Sequence, residues 1–122
     1  MRIIFMGTPE LARTTLEALL ASESWEIAGV VTQPDRPKGR DLRVTASPVK
    51  ELASNEELTI LQPERARDPA FISQIQGLRP DLIAVAAYGQ ILPKALLEIP
   101  RHGCLNVHTS LLPRYRARAK AP

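Results

Sequence analysis

The chain has 122 residues, of which 44% are hydrophobic and 24% charged, so its length and composition fit one globular domain and exclude a second large one. No apolar run approaches the roughly 20 residues of a membrane span, the N-terminus lacks a signal-peptide layout, and the single cysteine excludes an internal disulfide, which together predict a cytoplasmic protein. The net charge of +3 originates at the C-terminal end, where five basic residues and no Asp or Glu follow Glu98.

The first half of the chain alternates apolar runs with helix-start signals. Residues 2–6 predict a buried strand, and Thr8-Pro9-Glu10 predicts an N-cap, a proline at the first helical position and an acid in the first turn of a helix that extends to about residue 22. Residues 27–32 are rich in β-branched side chains and predict a second strand. Residues 33–46 are predicted as a loop.

The second half repeats this alternation. Ser47-Pro48 and Asp68-Pro69 each predict a capped helix start, with a short strand at residues 58–61 between the two helices. The run at residues 82–87 is continuously apolar, which is typical of an interior parallel strand that is covered on both faces. A short helix near residues 93–99 then leads to a fifth strand at residues 104–108.

Strands that alternate with helices of this length predict an α/β fold with a doubly wound, Rossmann-like and mostly parallel sheet. A dinucleotide site is not expected, because Gly7 is a single glycine where the phosphate-binding fingerprint needs three, and Pro9 removes an N–H group. Asp35 follows the second strand within a proline-rich segment, so we interpret it as a turn residue rather than as a ligand of ribose.

The polar pair Asn106 and His108 is the strongest candidate for chemistry. Side chains alternate across a strand, so both project to one face, at the carboxyl end of a parallel strand where open α/β sheets bind ligands. An amide that donates to an oxyanion, beside an imidazole that moves protons, suits acyl or formyl transfer. A capping Asn and a core His at the end of a strand would give the same spacing, and the spacing alone does not separate the two interpretations.

The remaining polar residues give weaker signals. Residues 35–43 carry four cations, which suits an element that contacts phosphate, although a solvated loop is the commoner meaning of such a charge run. His102 is predicted to be a surface residue, and Cys104 is predicted to be a small buried hydrophobe. The two histidines and one cysteine lack the spacing of metal ligands, so no metal site is predicted.

Residues 103–116, GCLNVHTSLLPRYR, resemble the signature of the formyltransferases that use 10-formyltetrahydrofolate. Four further segments narrow the resemblance to family members that act on methionyl-tRNA: FMGTP at 5–9, TQPDRP at 32–37, SPVK at 47–50 and AYGQILP at 87–93. The resemblance extends from Arg2 to Arg116.

The resemblance implies that the α-amino group of initiator methionyl-tRNA attacks the formyl carbon of 10-formyltetrahydrofolate, without a metal or NAD. It implies that Asn106 holds the oxyanion and that His108 shuttles the proton. The implied folate-binding residues are Tyr88, Gly89, Gln90, Ile91, Leu92, Ser110, Leu111, Leu112 and Pro113. The residues implied to contact tRNA are Arg36, Lys38, Arg40 and Arg43.

The resemblance also divides the chain into an incomplete N-terminal formyltransferase domain, residues 1–116, and a divergent basic tail, residues 117–122. Family members continue the signature with Gly and Ala-Ala-Pro, and add an Asp that orients the catalytic His, more strands and a tRNA-binding domain. We therefore expect the 122 residues alone to be inactive, and the full-length form to be a monomer. Two alternatives stay open: a folate-dependent formyltransferase for glycinamide ribonucleotide or a sugar amine, and a non-catalytic truncated paralogue that binds folate or RNA.

Overall fold

A five-stranded parallel sheet forms the centre of the computed structural model, which describes residues 1–38 and 43–107, without the side chains of residues 36–38 and 43–45. The strands of this sheet are β1 (Arg2–Gly7), β2 (Glu26–Val31), β5 (Ile60–Leu61), β6 (Leu82–Ala86) and β7 (Cys104–Asn106). Their order is β5-β2-β1-β6-β7, and every neighbouring pair is parallel. The chain therefore builds the sheet outward from β1, first on one side and then on the other.

Helices cover both faces of the sheet. They are α1 (Glu10–Leu20), α2 (Pro48–Asn55), α3 (Pro69–Leu78) and α4 (Lys94–Leu97). Apolar residues of α1 and α2 share one buried cluster with the sheet, and apolar residues of α3 and α4 share a second cluster on the opposite face. The predicted doubly wound α/β fold is confirmed. None of the described helices is long and apolar enough to cross a membrane.

Strand β1 shows how an aliphatic sequence fills both clusters. Ile3 and Phe5 belong to the α1/α2 cluster, whereas Ile4 and Met6 belong to the α3/α4 cluster, and all four side chains are buried. Successive side chains of a strand point to opposite faces, so a continuous apolar run is what a strand covered on both faces requires. The same reasoning predicted an interior position for residues 82–87, and β6 indeed lies between β1 and β7.

Two of the three predicted helix caps are confirmed. Ser47 Oγ accepts a hydrogen bond from Lys50 N at 3.0 Å, and Asp68 Oδ1 accepts one from Ala70 N at 3.0 Å. The prediction for α1 is wrong, because Pro9 is the N-cap of that helix and makes no side-chain cap. The Thr8 hydroxyl instead accepts a hydrogen bond from Gln33 N at 3.3 Å, across the end of the sheet.

The prediction of a loop at residues 33–46 is also wrong. This region contains an antiparallel pair of short strands, β3 (Arg36–Lys38) and β4 (Arg43–Thr45), with Pro37 opposite Val44. A proline is tolerated there because a two-stranded ribbon has only edge strands, so its missing N–H can face away from the ladder. The last predicted strand is shorter than expected, since β7 ends at Asn106, and His108 lies outside the described residues.

Candidate active site at the carboxyl edge of the sheet

The carboxyl ends of the parallel strands share one edge of the sheet, which we call the carboxyl edge. The chain leaves this edge at Thr8 after β1, Thr32 after β2, Ala87 after β6 and Val107 after β7. The order of strands reverses between β1 and β6, and open α/β sheets place their ligands outside the carboxyl ends of strands at such a reversal. The candidate site is therefore built from the segments that follow these strands.

Asn106 lies at this edge, as its position in the sequence predicted. It is the last residue of β7, its register partner is Val85 of β6, and its side chain is exposed. The adjacent Val107 packs against the α1/α2 cluster, so β7 is anchored on the side away from the Asn106 amide. Of the other predicted site residues, His108, Ser110, Leu111, Leu112 and Pro113 lie outside the described residues.

The turn after β6 has an unusual backbone. Ala87 has a φ of 55° and Gly89 has a φ of 96°, so two left-handed residues flank Tyr88. The left-handed region costs an L-residue such as alanine about 1–2 kcal/mol. A turn of this kind persists only when surrounding contacts hold it. One such contact is a 2.9 Å hydrogen bond from the Gln33 side-chain amide to the Tyr88 carbonyl oxygen.

The side chain of Tyr88 is buried in the α3/α4 cluster and is only 2% exposed. Within the described part of the chain its hydroxyl has no hydrogen-bond partner, and burial raises the pKa of Tyr88 to about 12. Tyr88 therefore contributes its backbone to the carboxyl edge, whereas its ring belongs to the core. Leu92, another predicted folate-binding residue, also packs against the α3/α4 cluster.

Gln90 links the turn after β6 to the segment between β5 and α3. Its Oε1 accepts a hydrogen bond from Ala66 N at 2.8 Å, and its Nε2 donates to the Glu64 carbonyl oxygen at 3.0 Å. A cavity of about 780 Å³ lies between residues 64–67 and the side formed by Gly89, Gln90, Ile91 and Pro93. Ile91 is 96% exposed, so it presents an apolar surface at this cavity.

Polar residues that were not predicted as site residues tie this edge together. Gln62 Nε2 donates to the Gln33 carbonyl oxygen at 3.2 Å and to Asp35 Oδ1 at 2.9 Å. Lys50 Nζ lies 2.8 Å from Asp35 Oδ2, and the hydrogen bonds from Lys50 and then from Gln62 lower the pKa of Asp35. Gln33 directly follows the strand predicted at residues 27–32, so a search for polar residues at the carboxyl ends of the predicted strands would have found it.

The basic residues predicted to contact tRNA come directly after Asp35 in the sequence. They fall within residues 36–45, the segment that contains β3 and β4, which we call the basic ribbon. Arg36 and Lys38 lie in β3, and Arg43 lies in β4. The side chains of these three residues, and the whole of Arg40, lie outside the description of the structure. The backbone places the ribbon between the carboxyl end of β2 and the start of α2.

Comparison with known proteins gives a consistent family match. The sequence model of a family described as "Formyl transferase" matches residues 1–121. The methionyl-tRNA formyltransferase of Clostridioides difficile is 56% identical over 119 residues, which cover 98% of this chain and 38% of that protein. The methionyl-tRNA formyltransferase of Trichlorobacter lovleyi is 58% identical over 118 residues, which cover 97% of this chain and 37% of that protein. The chain thus spans somewhat more than a third of these relatives.

Solved structures share the fold at low sequence identity. The phosphoribosylglycinamide formyltransferase from Bacillus halodurans superposes with a TM-score of 0.65 at 17% identity, covering 94% of this chain and 59% of that chain. A sugar N-formyltransferase from Shewanella superposes with a TM-score of 0.52 at 14% identity, covering 88% of this chain and 39% of that chain. At these identities the likeness concerns the fold alone.

Proposed function

This chain belongs to the formyl transferase family, and we propose that its protein transfers the formyl group of 10-formyltetrahydrofolate to the α-amino group of initiator methionyl-tRNA. The observation that carries the proposal is the exposed Asn106 amide at the carboxyl end of β7, on the strand next to the turn after β6 and its cavity. Formyl transfer needs a hydrogen-bond donor for the oxyanion, which an exposed amide can supply, and a concave site that can hold the formyl donor.

In the proposed reaction, the methionine amine attacks the formyl carbon, and a new C–N bond forms while the carbonyl oxygen gains negative charge. The Asn106 side-chain N–H donates to this oxyanion, which stabilises the transition state more than the ground state. The bond from the formyl carbon to N10 of the folate then breaks. We assign to His108 the transfer of a proton from the attacking amine to the departing N10.

The folate donor is proposed to occupy the cavity beside the turn after β6. A volume of about 780 Å³ is within the range of small-molecule sites, and exposed Ile91 supplies an apolar wall. Gly89 and Gln90 line the same cavity, whereas the buried Tyr88 ring and the inward-facing Leu92 support this wall from the core. Ser110, Leu111, Leu112 and Pro113 keep their proposed role as further folate-binding residues.

The tRNA is proposed to contact the basic ribbon. Arg36, Lys38, Arg40 and Arg43 would bind phosphates of the acceptor end, which gives an affinity that falls as salt rises. The Lys50–Asp35 contact supports this role, because it fixes the start of the ribbon to α2. The division at residue 116, the cytoplasmic location, the monomeric state and the inactivity of the 122 residues alone stay predictions.

Formylation of methionyl-tRNA by the protein expressed from its full reading frame tests the proposal. We expect Asn106→Ala to lower kcat by about 100- to 1,000-fold, the usual cost of losing one oxyanion donor, with a much smaller change in the KM for the folate. Asn55→Ala is the matched control, because Asn55 is exposed at the end of α2. It should leave kcat unchanged.

Three outcomes would contradict the proposal. A kcat that Asn106→Ala leaves intact would remove Asn106 from the reaction. If the wild-type protein formylates glycinamide ribonucleotide or a sugar amine but not methionyl-tRNA, the proposed acceptor is wrong. Protein that binds folate or RNA without any turnover would instead favour a binding module.

A further inference from the structure

Gln33 joins the ends of several strands with its backbone and side chain together. Its backbone N donates to Thr8 after β1 at 3.3 Å, and its carbonyl oxygen accepts from Gln62 after β5 at 3.2 Å. Its side-chain Nε2 donates to the Tyr88 carbonyl oxygen at 2.9 Å, across 55 residues of sequence. Gln33 is half-buried, so these hydrogen bonds are partly protected from water.

The turn that receives the Gln33 side chain contains a backbone conformation that is costly for an L-residue. Ala87 and Gly89 are both left-handed, and the Tyr88 carbonyl between them is the acceptor for Gln33. The position of a Cβ on Gly89 would be 3.4 Å from Gln33 Nε2, so the amide packs directly against this turn. A hydrogen bond at this point stabilises a backbone geometry that alanine adopts at a cost.

The contact continues from Gln33 to the opposite wall of the cavity. Gln33 Oε1 accepts a hydrogen bond from Gln90 Nε2 at 3.3 Å, and Gln90 in turn bonds to the backbone of Glu64 and Ala66. Gln90 therefore joins the two walls of the 780 Å³ cavity, and the Gln33 side chain contacts the wall formed by the turn after β6. Gln33 does not line the cavity itself and is connected to the second wall only through Gln90.

The nitrogen and the oxygen of the Gln33 side-chain amide have different hydrogen-bonding roles. Its Nε2 must donate to a carbonyl oxygen, and its Oε1 must accept from an amide, so only a correctly oriented primary amide satisfies both. A carboxylate in its place would still accept from Gln90 but would set an oxygen against the Tyr88 carbonyl. A thioether of similar length would satisfy neither partner.

We propose that Gln33 is a positioning residue for the folate donor: its side-chain amide fixes the turn after β6 and, through Gln90, the second wall of the donor cavity. This inference rests on the proposed function, since it assumes that this cavity binds the folate. It assigns a role to a residue in the segment before the basic ribbon, and it separates that role from tRNA binding. The expected signature is a loss of folate affinity without a matching loss of turnover.

The experiment measures binding of tetrahydrofolate by calorimetry, and steady-state formylation, with protein expressed from its full reading frame. Gln33→Met should raise the Kd for tetrahydrofolate and the KM for the formyl donor about tenfold. The kcat and the KM for methionyl-tRNA should stay within twofold of wild type. Gln74→Met, on an exposed position of α3, is the matched control and should leave all four quantities unchanged.

Two further variants separate positioning from a general loss of structure. Gln33→Glu should weaken tetrahydrofolate binding at least as much as Gln33→Met, because it keeps the acceptor for Gln90 and removes the donor for Tyr88. In a double-mutant cycle, Gln33→Met and Gln90→Met should be non-additive for tetrahydrofolate binding, since the two side chains share one hydrogen bond. Hydrogen exchange at residues 87–92 should accelerate in Gln33→Met.

The outcomes distinguish this inference from the proposed function. If wild type binds tetrahydrofolate and Gln33→Met binds it equally well, the inference is overturned and the proposed function stands. The inference also fails if Gln33→Met lowers kcat and Tm and raises the KM for both the formyl donor and methionyl-tRNA, because a residue needed only for folding would have these effects together. If wild type does not bind tetrahydrofolate, the proposed function fails, and unchanged hydrogen exchange at residues 87–92 would then overturn the positioning role as well.

Discussion

The two edges of the sheet hold their strands together with different chemistry. At the carboxyl edge, uncharged amides and hydroxyls connect strand ends, as in the hydrogen bond from the Gln33 side chain to Tyr88. At the opposite, amino edge, charged residues do this: Arg2 N donates to Asp81 Oδ2 at 2.8 Å, and Arg2 Nη1 lies 3.2 Å from Glu26 Oε2. The links between strand ends are neutral hydrogen bonds at the carboxyl edge, where the ion pair of Lys50 with Asp35 holds α2, whereas both links at the amino edge involve a carboxylate.

Each edge of the sheet has a cavity and a non-glycine residue in the left-handed region, so neither feature distinguishes the candidate site. A cavity of about 700 Å³, lined in part by Arg79 and Asp81, lies at the amino edge, and Arg79 has a φ of 51°. Arg79, however, is the C-cap of α3, where a left-handed residue is ordinary, whereas Ala87 follows a strand directly. The contacts of each edge, rather than its volume, therefore identify the candidate site.

The largest expected effect is at Gly7, where β1 ends at the carboxyl edge. A Cβ at this position would be 2.6 Å from the Ala86 carbonyl oxygen and 2.7 Å from Ala12 Cβ, so the backbone of β6 or α1 would have to move. We expect Gly7→Ala to lower the free energy of unfolding by about 3 kcal/mol, as overpacking does when the neighbours are rigid. Urea unfolding followed by circular dichroism measures this.

Gly77 provides the matched control near the amino edge. It is in α3, and a Cβ there would meet nothing within 4 Å in the described structure. Gly77→Ala should raise the free energy of unfolding by up to about 1 kcal/mol, because alanine is the better helix former. Equal effects of the two substitutions would show that the carboxyl edge is no more tightly packed than its counterpart.

The regular parts of this fold are predictable because their signals are local. The apolar run of β6 and the caps Ser47 and Asp68 are each encoded within a few residues, and the structure places them as expected. The alternation of strands and helices then predicts a parallel sheet and a ligand site at its carboxyl edge. Asn106 could be selected in this way from its position alone.

The contacts that shape the candidate site are not local, so the sequence does not reveal them. Gln33 and Tyr88 are 55 residues apart, and only the pairing of β1 with both β2 and β6 brings them together. Thr8 was predicted to cap α1 for a related reason: local sequence favours a cap, but the folded sheet offers its hydroxyl a donor from Gln33. Tertiary contacts decide such polar residues.

A second and smaller effect is expected at Tyr88, which links the carboxyl edge to the core. Its hydroxyl is buried without a partner among the described residues, a situation that costs about 1–3 kcal/mol. Tyr88→Phe should therefore raise the free energy of unfolding at pH 7 by about 1 kcal/mol, measured in urea. A loss of more than about 1 kcal/mol, an amount typical of a removed hydrogen bond, would show that the hydroxyl is bonded.

Alkaline pH sharpens this prediction. The pKa of Tyr88 is raised to about 12 in the folded protein, above its ordinary value of 10.0. Below pH 10 the tyrosine is neutral in both the folded and the unfolded chain, so its ionisation costs no stability. As the pH rises from 10 toward 12 the unfolded chain ionises first, and the free energy of unfolding of the wild type falls. The advantage of Tyr88→Phe over wild type should widen between pH 9 and pH 11.5.

The smallest effects are expected from the carboxylates, one at each edge. The pKa of Asp81 is lowered mainly by the hydrogen bond from the Arg2 backbone, and the pKa of Asp35 is lowered mainly by the hydrogen bond from the Lys50 side chain. A lowered pKa means that each aspartate stabilises the fold above its unfolded pKa and loses this contribution as the pH falls below 3.8. Asp81→Asn and Asp35→Asn should each lower the urea midpoint at pH 7, and both differences from wild type should vanish toward pH 2.

Salt distinguishes the two carboxylates, because a backbone hydrogen bond is less exposed to screening than an ion pair with a lysine side chain. Raising NaCl from 0.1 M to 1 M shortens the Debye length from about 10 Å to about 3 Å, so the effect of Asp35→Asn should shrink while that of Asp81→Asn persists. If instead the effect of Asp81→Asn shrinks in salt and that of Asp35→Asn persists, Asp81 stabilises the amino edge through its charged neighbours and not through the Arg2 backbone N–H. If neither substitution responds to salt, the hydrogen bond from the neutral Gln62 amide is the main contact that holds Asp35. Amides would then link the whole carboxyl edge, including the start of the basic ribbon.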